Sequence, residues 1–208
     1  MPPESIPGIT DLPPAPAGTR IGLFGGSFNP VHAGHRLVAL QCLKRLQLSC
    51  IWTLVSPGNP LKDNDKLPKL EDRVISARNF LAHPQIEVTG FEAAHDFHYT
   101  ADTLDYLLKA RPGVHFVWIM GADSLAGFDH WERWRDIASM LPIAVYARPG
   151  SGLRATRSKA AIALGRYRLP EEAAETLAGR KPPAWVYLRG VTSALSSTAL
   201  RQGLATHK

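Results

Sequence analysis

Cysteine is scarce in this 208-residue chain, with Cys42 and Cys50 the only two. Two thiols cannot build a disulfide framework or a four-thiolate zinc site, and a reducing, cytoplasmic setting is expected. Long apolar runs are also missing. The longest, Val114–Ala122, contains His115 and is broken by Gly121. A membrane helix needs ~20 apolar residues, so no membrane partner is expected. No basic residue precedes Arg20, while six prolines crowd the first 16 positions beside Glu4 and Asp11. That is neither a secretory leader nor an Arg-rich transit peptide. The same stretch lacks periodicity, which predicts a disordered arm over 1–19. Acidic residues are absent from Arg148 to Arg168, where six basic residues lie. Residues 1–147 carry 13 Lys/Arg against 15 Asp/Glu, and residues 148–208 carry 11 against 3. This asymmetry suits a polyanionic partner (nucleotide phosphates, nucleic acid or a membrane surface) and equally a solvated basic face.

The rest of the chain has the length for one domain with its own core. Short apolar runs at 21–24, 51–55, 86–89, 114–120 and 143–147 each stop at Gly, Pro or polar residues, as buried strands do. Between them lie helical stretches at 33–46, 71–82, 101–110 and within 129–139. In the first of these, Leu37, Leu40, Leu43 and Leu46 are expected along one face. Strands alternating with helices predict an α/β fold, a doubly wound parallel sheet with ligands at the carboxyl ends of its strands. Beyond Arg148-Pro149-Gly150 the pattern weakens. It gives helical pieces at 157–166 and 171–178, an extended segment at 185–189, and a last helix from about Ser196, a small C-terminal helical part.

The chemistry concentrates at Gly25-Gly26-Ser27-Phe28-Asn29-Pro30-Val31-His32-Ala33-Gly34-His35. This segment leaves the first strand and opens the first helix. Glycines permit a tight turn and close approach of a phosphate. A helix N-terminus offers N–H groups and partial positive charge to an anion. Two histidines three residues apart share a face of the first turn. Fixed donors beside one phosphate suit nucleotidyl transfer, in which negative charge grows on the attacked phosphate. The nucleophile would be an existing phosphate oxygen, so positioning and charge stabilisation suffice without a covalent intermediate. Alone, an HxxH pair is also compatible with a surface pair or partial metal ligands. A dinucleotide-binding G-x-G-x-x-G is absent.

The segment resembles the G-[ST]-F-x-P-x-H-x-G-H signature of the nucleotidylyltransferase superfamily. Ser196-Ser197-Thr198-Ala199-Leu200-Arg201 is similar to that superfamily's second element, which sets hydroxyls and an Arg on triphosphate oxygens. Further segments resemble bacterial nicotinate-nucleotide adenylyltransferases: Ser56–Lys62, Tyr99-Thr100-Ala101-Asp102-Thr103-Leu104, Ile119-Met120-Gly121-Ala122-Asp123-Ser124-Leu125 with Trp131 downstream, and Arg148-Pro149-Gly150. The likeness covers about 20–150 and 190–203. It implies a Rossmann-like nucleotidylyltransferase fold over 20–208, with 190–208 holding a phosphate-binding helix. It also implies adenylyl transfer from ATP to nicotinate mononucleotide, giving deamido-NAD and pyrophosphate. His32 and His35 are then catalytic. Gly25, Gly26, Ser27, Phe28, Lys62, Ser196, Ser197, Thr198 and Arg201 face ATP. Thr100, Asp123, Trp131 and Arg148 face the mononucleotide. Mg²⁺ would accompany ATP through phosphates and water, with no protein metal site.

Each residue also has a plainer reading. Thr100 and Asp123 are good helix caps, Lys62 a loop charge, and Trp131 a core residue, with Trp134 an equal claimant to the ring-stacking role. His95-Asp96-Phe97-His98 has metal-ligand types but no evident fourth partner. Asn29 stands where many relatives have Asp. Residues 151–189 form a basic insertion for which a lid, an oligomer contact and a surface element are all open, so a homo-oligomer is compatible with the sequence. The rival enzymatic reading is another phosphorylated acceptor, phosphopantetheine or the amide mononucleotide. The rival from another class is a non-catalytic nucleic-acid binder using the basic C-terminal third. The latter leaves both signatures without a purpose, and no nucleic-acid partner is expected.

Overall fold

The structure, a computed structural model, describes residues 6–58, 67–147 and 152–190. Seven strands form one parallel sheet: β1 (Arg20–Gly26), β2 (Cys50–Val55), β3 (Ile86–Thr89), β4 (His115–Gly121), β5 (Ile143–Tyr146), β6 (Arg168–Leu169) and β7 (Trp185–Leu188). Their order is β3-β2-β1-β4-β5-β7-β6. The chain winds outward from β1 to β3, then returns to place β4 on the other side of β1. That reversal opens a crevice at the carboxyl ends of β1 and β4, where α/β proteins bind ligands.

Side chains alternate across each strand, so each strand feeds two cores. Phe24, Ile51, Val117, Ile119, Ala144, Tyr146, Val186 and Leu188 point to one face. There they meet α1 (Ala33–Arg45), α2 (Leu70–Leu81) and the 3₁₀ segment Glu171–Gly179. Ile21, Leu23, Trp52, Phe116, Trp118, Met120, Ile143, Val145, Trp185 and Tyr187 point to the other. That face is covered by α3 (Phe91–Ala94), α4 (Thr100–Ala110), α5 (Ala122–Ala126), α6 (Trp134–Met140), α7 (Gly152–Thr156) and α8 (Lys159–Ala163).

Three expectations change. First, the buried stripe of α1 is His35, Val38, Ala39, Cys42 and Leu43, with Leu46 following at its end. Leu37 and Leu40 are only half-buried. Residues spaced by three drift about 60° per step around a helix, so four of them cannot hold one face. Second, 6–19 is not a free arm. Ile9 packs on the first core and Leu12 and Ala15 on the second. The Ile9 carbonyl accepts from Gly90 N–H at 2.9 Å, and the Thr89 hydroxyl donates to the Asp11 carbonyl at 2.7 Å. The Gly90 N–H and the Thr89 side chain thus hold a segment that also turns on itself, with the Ile9 and Thr10 N–H groups donating to the Ile6 carbonyl. Third, the extended segment expected at 185–189 is β7, and because it pairs with β5 and extends the sheet, 152–190 is part of the fold's main layer as well as a helical piece. Arg45, at the end of α1, meets Glu171 at 2.7 Å, and Glu171 accepts Arg189 N–H at 2.6 Å. The chain beyond β7 therefore starts from an anchored point.

Candidate active site

The head of α1 is built from its own histidines. His32 is the N-cap residue, in extended conformation, and its Nδ1 accepts Gly34 N–H at 3.1 Å. His35, three residues on, returns the favour through Nδ1, accepting His32 N–H at 3.2 Å. This is a capping box made of imidazoles in place of the usual hydroxyl and carboxylate. It has a chemical consequence. An imidazole that accepts at Nδ1 carries its proton on Nε2, an assignment that follows from the bonds. Both rings are thereby fixed as Nε2–H donors. They are nearly buried and overlap, with centroids 3.9 Å apart and planes 37° off parallel.

Phe28 supports them from below. Its ring is buried, 4.9 Å from His35 and 5.5 Å edge-on to Phe24. Its φ of 47° lies in the left-handed region, uncommon for a residue with a Cβ. The Phe28 ring is thus spent on packing and on seating His35. Gly25 and Gly26 close β1, and with Ser27 they are half-exposed. The sequence explains Gly25 by phosphate approach, yet packing also requires it. A Cβ there would stand 2.7 Å from the Trp118 ring. Ser56 N–H donates to the Gly26 carbonyl at 3.0 Å, joining the loops after β1 and β2.

The second half of the site lies on the opposite face of the sheet. Thr100 is the first residue of α4, half-buried. It is not the cap: Tyr99 holds that position and makes no side-chain cap bond. Asp123, exposed, sits in the first turn of α5 just beyond β4, again not at the N-cap position. Trp131 is half-buried, with Trp118 edge-on at 6.3 Å and Phe128 at 5.4 Å. Trp134 is buried beside Phe128, with Arg135 stacked 4.5 Å from its ring centre. Only Trp131 of the pair keeps surface for a ligand ring.

Lys62, Arg148, Ser196, Ser197, Thr198 and Arg201, together with the last helix, lie outside the described residues. His95 is stacked on Phe97 at 5.2 Å and lies 4.3 Å from Tyr106. Among the described residues no three His, Cys, Asp or Glu side chains gather as a metal site. Nor, among them, is any helix long and apolar enough to cross a membrane.

Four residues escaped the sequence reading. Arg73 of α2 is buried, and four backbone carbonyls accept from it: Pro68 at 3.0 Å, Ser27 at 3.0 Å, Ser56 at 2.7 Å and Pro57 at 3.2 Å. Burial lowers the pKa of its guanidinium. Glu92 is buried in α3, and burial pushes its carboxyl up to about 7 despite a 2.7 Å bond from the Thr103 hydroxyl. Arg133, exposed, reaches Asp105 at 2.8 Å and Asp136 at 2.9 Å, and those bonds raise its pKa. Trp118 joins the two halves, lying against Gly25 at one edge and Trp131 at another. An Arg on the apolar side of α2 and a Glu three residues after β3 were the only advance signals.

The comparisons with known proteins point the same way. The cytidylyltransferase-like family profile matches residues 23–203. A "probable nicotinate-nucleotide adenylyltransferase" of Methylorubrum extorquens is 54% identical over 182 residues, covering 88% of this chain and 98% of that protein. One of Brucella suis biovar 1 is 50% identical, covering 88% and 94%. The Plasmodium falciparum nicotinic acid mononucleotide adenylyltransferase, solved as a complex with APC, shares the fold at a TM-score of 0.65 and 15% identity, over 88% of this chain and 83% of that one. The chain therefore belongs to the cytidylyltransferase-like family, among its nicotinate-nucleotide adenylyltransferases.

Proposed function

We propose that the protein transfers the adenylyl group of ATP to nicotinate mononucleotide, releasing pyrophosphate and forming deamido-NAD for NAD biosynthesis. The observation that carries this is the imidazole capping box at the head of α1, in which the Nδ1 bonds leave Nε2–H as the donor of each ring. ATP lies with its phosphates over Gly25–Ser27, His32 and His35, where the helix N-terminus adds positive potential. Lys62 and the Ser196, Ser197, Thr198 and Arg201 group complete the triphosphate site by family resemblance. The mononucleotide lies against Asp123 and Arg148, its pyridine ring on Trp131. Its carboxylate is received at the head of α4 beside Thr100, where the N-cap residue Tyr99 makes no side-chain cap bond.

A mononucleotide phosphate oxygen attacks the α-phosphorus of ATP. One P–O bond forms as the bond to the β-phosphate oxygen breaks, and pyrophosphate leaves. No proton needs to be removed from the nucleophile. The two imidazoles donate to the oxygens on which charge grows, and their geometry is set before substrate arrives, so little reorganisation is required. The exposed carboxylate of Asp123 would hold, through water, a Mg²⁺ that arrives with the ATP phosphates. When bound, Mg²⁺ neutralises phosphate charge. A cytoplasmic location suits the free thiols Cys42 and Cys50.

The deciding experiment supplies ATP and Mg²⁺ with nicotinate mononucleotide or its amide counterpart and follows pyrophosphate. Release should depend on the mononucleotide and favour the acid form. No release with either acceptor would sink the assignment, and a preference for the amide would redirect it.

A further inference from the structure

Arg73 lies outside the motifs read from the sequence, yet it bonds to several stretches of the site's scaffold. Its side chain lies on the buried face of α2, beside Val74 and Ala77. Nε donates to the Pro68 carbonyl, Nη1 to those of Ser27 and Ser56, and Nη2 to that of Pro57. Four of its five N–H groups are thus placed on three stretches of chain: the loop after β1, the loop after β2 and the lead into α2. Among the described residues no carboxylate pairs with it. A buried charge is costly unless compensated, and here the negative ends of peptide dipoles supply the compensation.

Those dipoles have another end. In a trans peptide the C=O and the following N–H point in opposite directions, and the Ser27–Phe28 bond is trans. Holding the Ser27 carbonyl against Arg73 therefore turns the Phe28 N–H to the far side of the loop. It also fixes the chain just before Phe28, whose left-handed φ places its ring against His35. We infer that Arg73 is a positioning residue for triphosphate transfer: it pins the loop after β1 so that loop amides and His35 stand ready for the phosphates. This rests on the adenylyltransferase reading given above. It predicts an effect on the ATP side of the crevice and none on the mononucleotide side, which lies across the sheet.

The test uses Arg73→Lys and Arg73→Met in the full chain. Lysine keeps the charge but has a single flexible ammonium that cannot span four carbonyls; methionine keeps bulk without charge. For both, kcat should fall about tenfold or more and KM for ATP should rise, while KM for nicotinate mononucleotide stays within about twofold. The thermal shift produced by ATP alone should shrink in both variants. A folded variant with kcat within about twofold of wild type would overturn the inference. So would parallel rises in both KM values, the mark of a general loss of structure. If neither variant folds, ¹⁵N-labelled wild-type protein decides: the Arg73 guanidinium protons should be individually resolved and slow to exchange with water, and averaged, rapidly exchanging signals would refute the clamp. If wild type releases no pyrophosphate, the functional reading fails, whereas the ATP thermal shift still judges Arg73.

Discussion

The two halves of the crevice are built on opposite faces of the sheet and by opposite means. At the head of α1 the groups are buried, and their geometry is closed by short-range bonds. His32 and His35 cap each other's backbone, and Phe28 is wedged between Phe24 and His35. At the heads of α4 and α5 the groups are partly exposed. Trp131 meets the edges of Trp118 and Phe128, and surface ion pairs through Arg133 tie α4 to α6. The difference follows from the work proposed for each half. Charge develops at the α-phosphorus, and donors that must meet it gain from being fixed beforehand. The acceptor's ring needs only to be held in place, and stacking tolerates small adjustments.

Replacing an imidazole of the capping box should break this comparison most sharply. His32→Ala or His35→Ala is expected to lower turnover by about 10²–10³, the scale for losing one fixed donor. Each also removes one capping bond, worth about 0.5–2 kcal/mol. Steady-state kinetics beside thermal melts separate the two effects. Undiminished turnover in a folded variant would remove the histidines from the mechanism.

On the exposed side the expected loss is smaller and of a different kind. Trp131→Ala should raise KM for the mononucleotide about tenfold, the scale of ~1.4 kcal/mol of lost stacking, and leave KM for ATP alone. Trp134→Ala should instead destabilise the fold by about 3–5 kcal/mol, because it empties a core position. If the two variants exchange phenotypes, the assignment of the stacking ring is reversed. Quenching of Trp131 fluorescence by the mononucleotide gives an independent reading.

What the sequence disclosed and what it hid divide along the same line. The course of the Gly25–His35 segment was legible because strand, turn and helix head are contiguous, so local rules place its backbone. Five strands of the parallel sheet, β1 to β5, were legible because each is a bounded apolar run, and β7 only as an extended segment. Arg73 was hidden because its partners are carbonyls at 27, 56, 57 and 68, and carbonyls carry no sequence signature. The capping role of the histidines was hidden because imidazoles seldom cap. The packed arm of residues 6–19 was hidden because proline content speaks against internal structure, not against lying on another surface. β6 is two residues long and exists only through its pairing with β7.

Glu92 sharpens the contrast through pH. Burial raises its carboxyl from 4.5 to about 7, while the Thr103 hydroxyl bond opposes the shift. The folded protein thus holds this proton more tightly than the unfolded chain does. Its contribution to stability is complete below about pH 4.5 and is lost as pH rises through about 7. Glu92→Gln keeps the acceptor for Thr103 and cannot ionise. Its melting temperature should therefore exceed that of wild type at pH 8, with the gap closing or reversing at pH 5. An equal offset at both values would mean that Glu92 does not titrate on unfolding in this range.

Arg133 carries the smallest expected effect and asks the finest question. Its φ of 53° is left-handed, a conformation that costs an ordinary residue and suits glycine. Its side chain joins Asp105 of α4 to Asp136 of α6, two residues beyond Trp131. These pairs are exposed and screened by salt, so their loss changes stability little. Arg133→Ala keeps the backbone strain and loses the pairs; Arg133→Gly loses the pairs and relieves the strain. If the ion pairs hold Trp131 toward Thr100, both variants should show the same small rise in KM for the mononucleotide, although glycine melts higher than alanine. The variants should stay alike as ionic strength increases, while wild type moves toward them. If KM instead follows the melting order, the backbone at 133 sets the position of Trp131, and the exposed half of the crevice is held by conformation, as the buried half is.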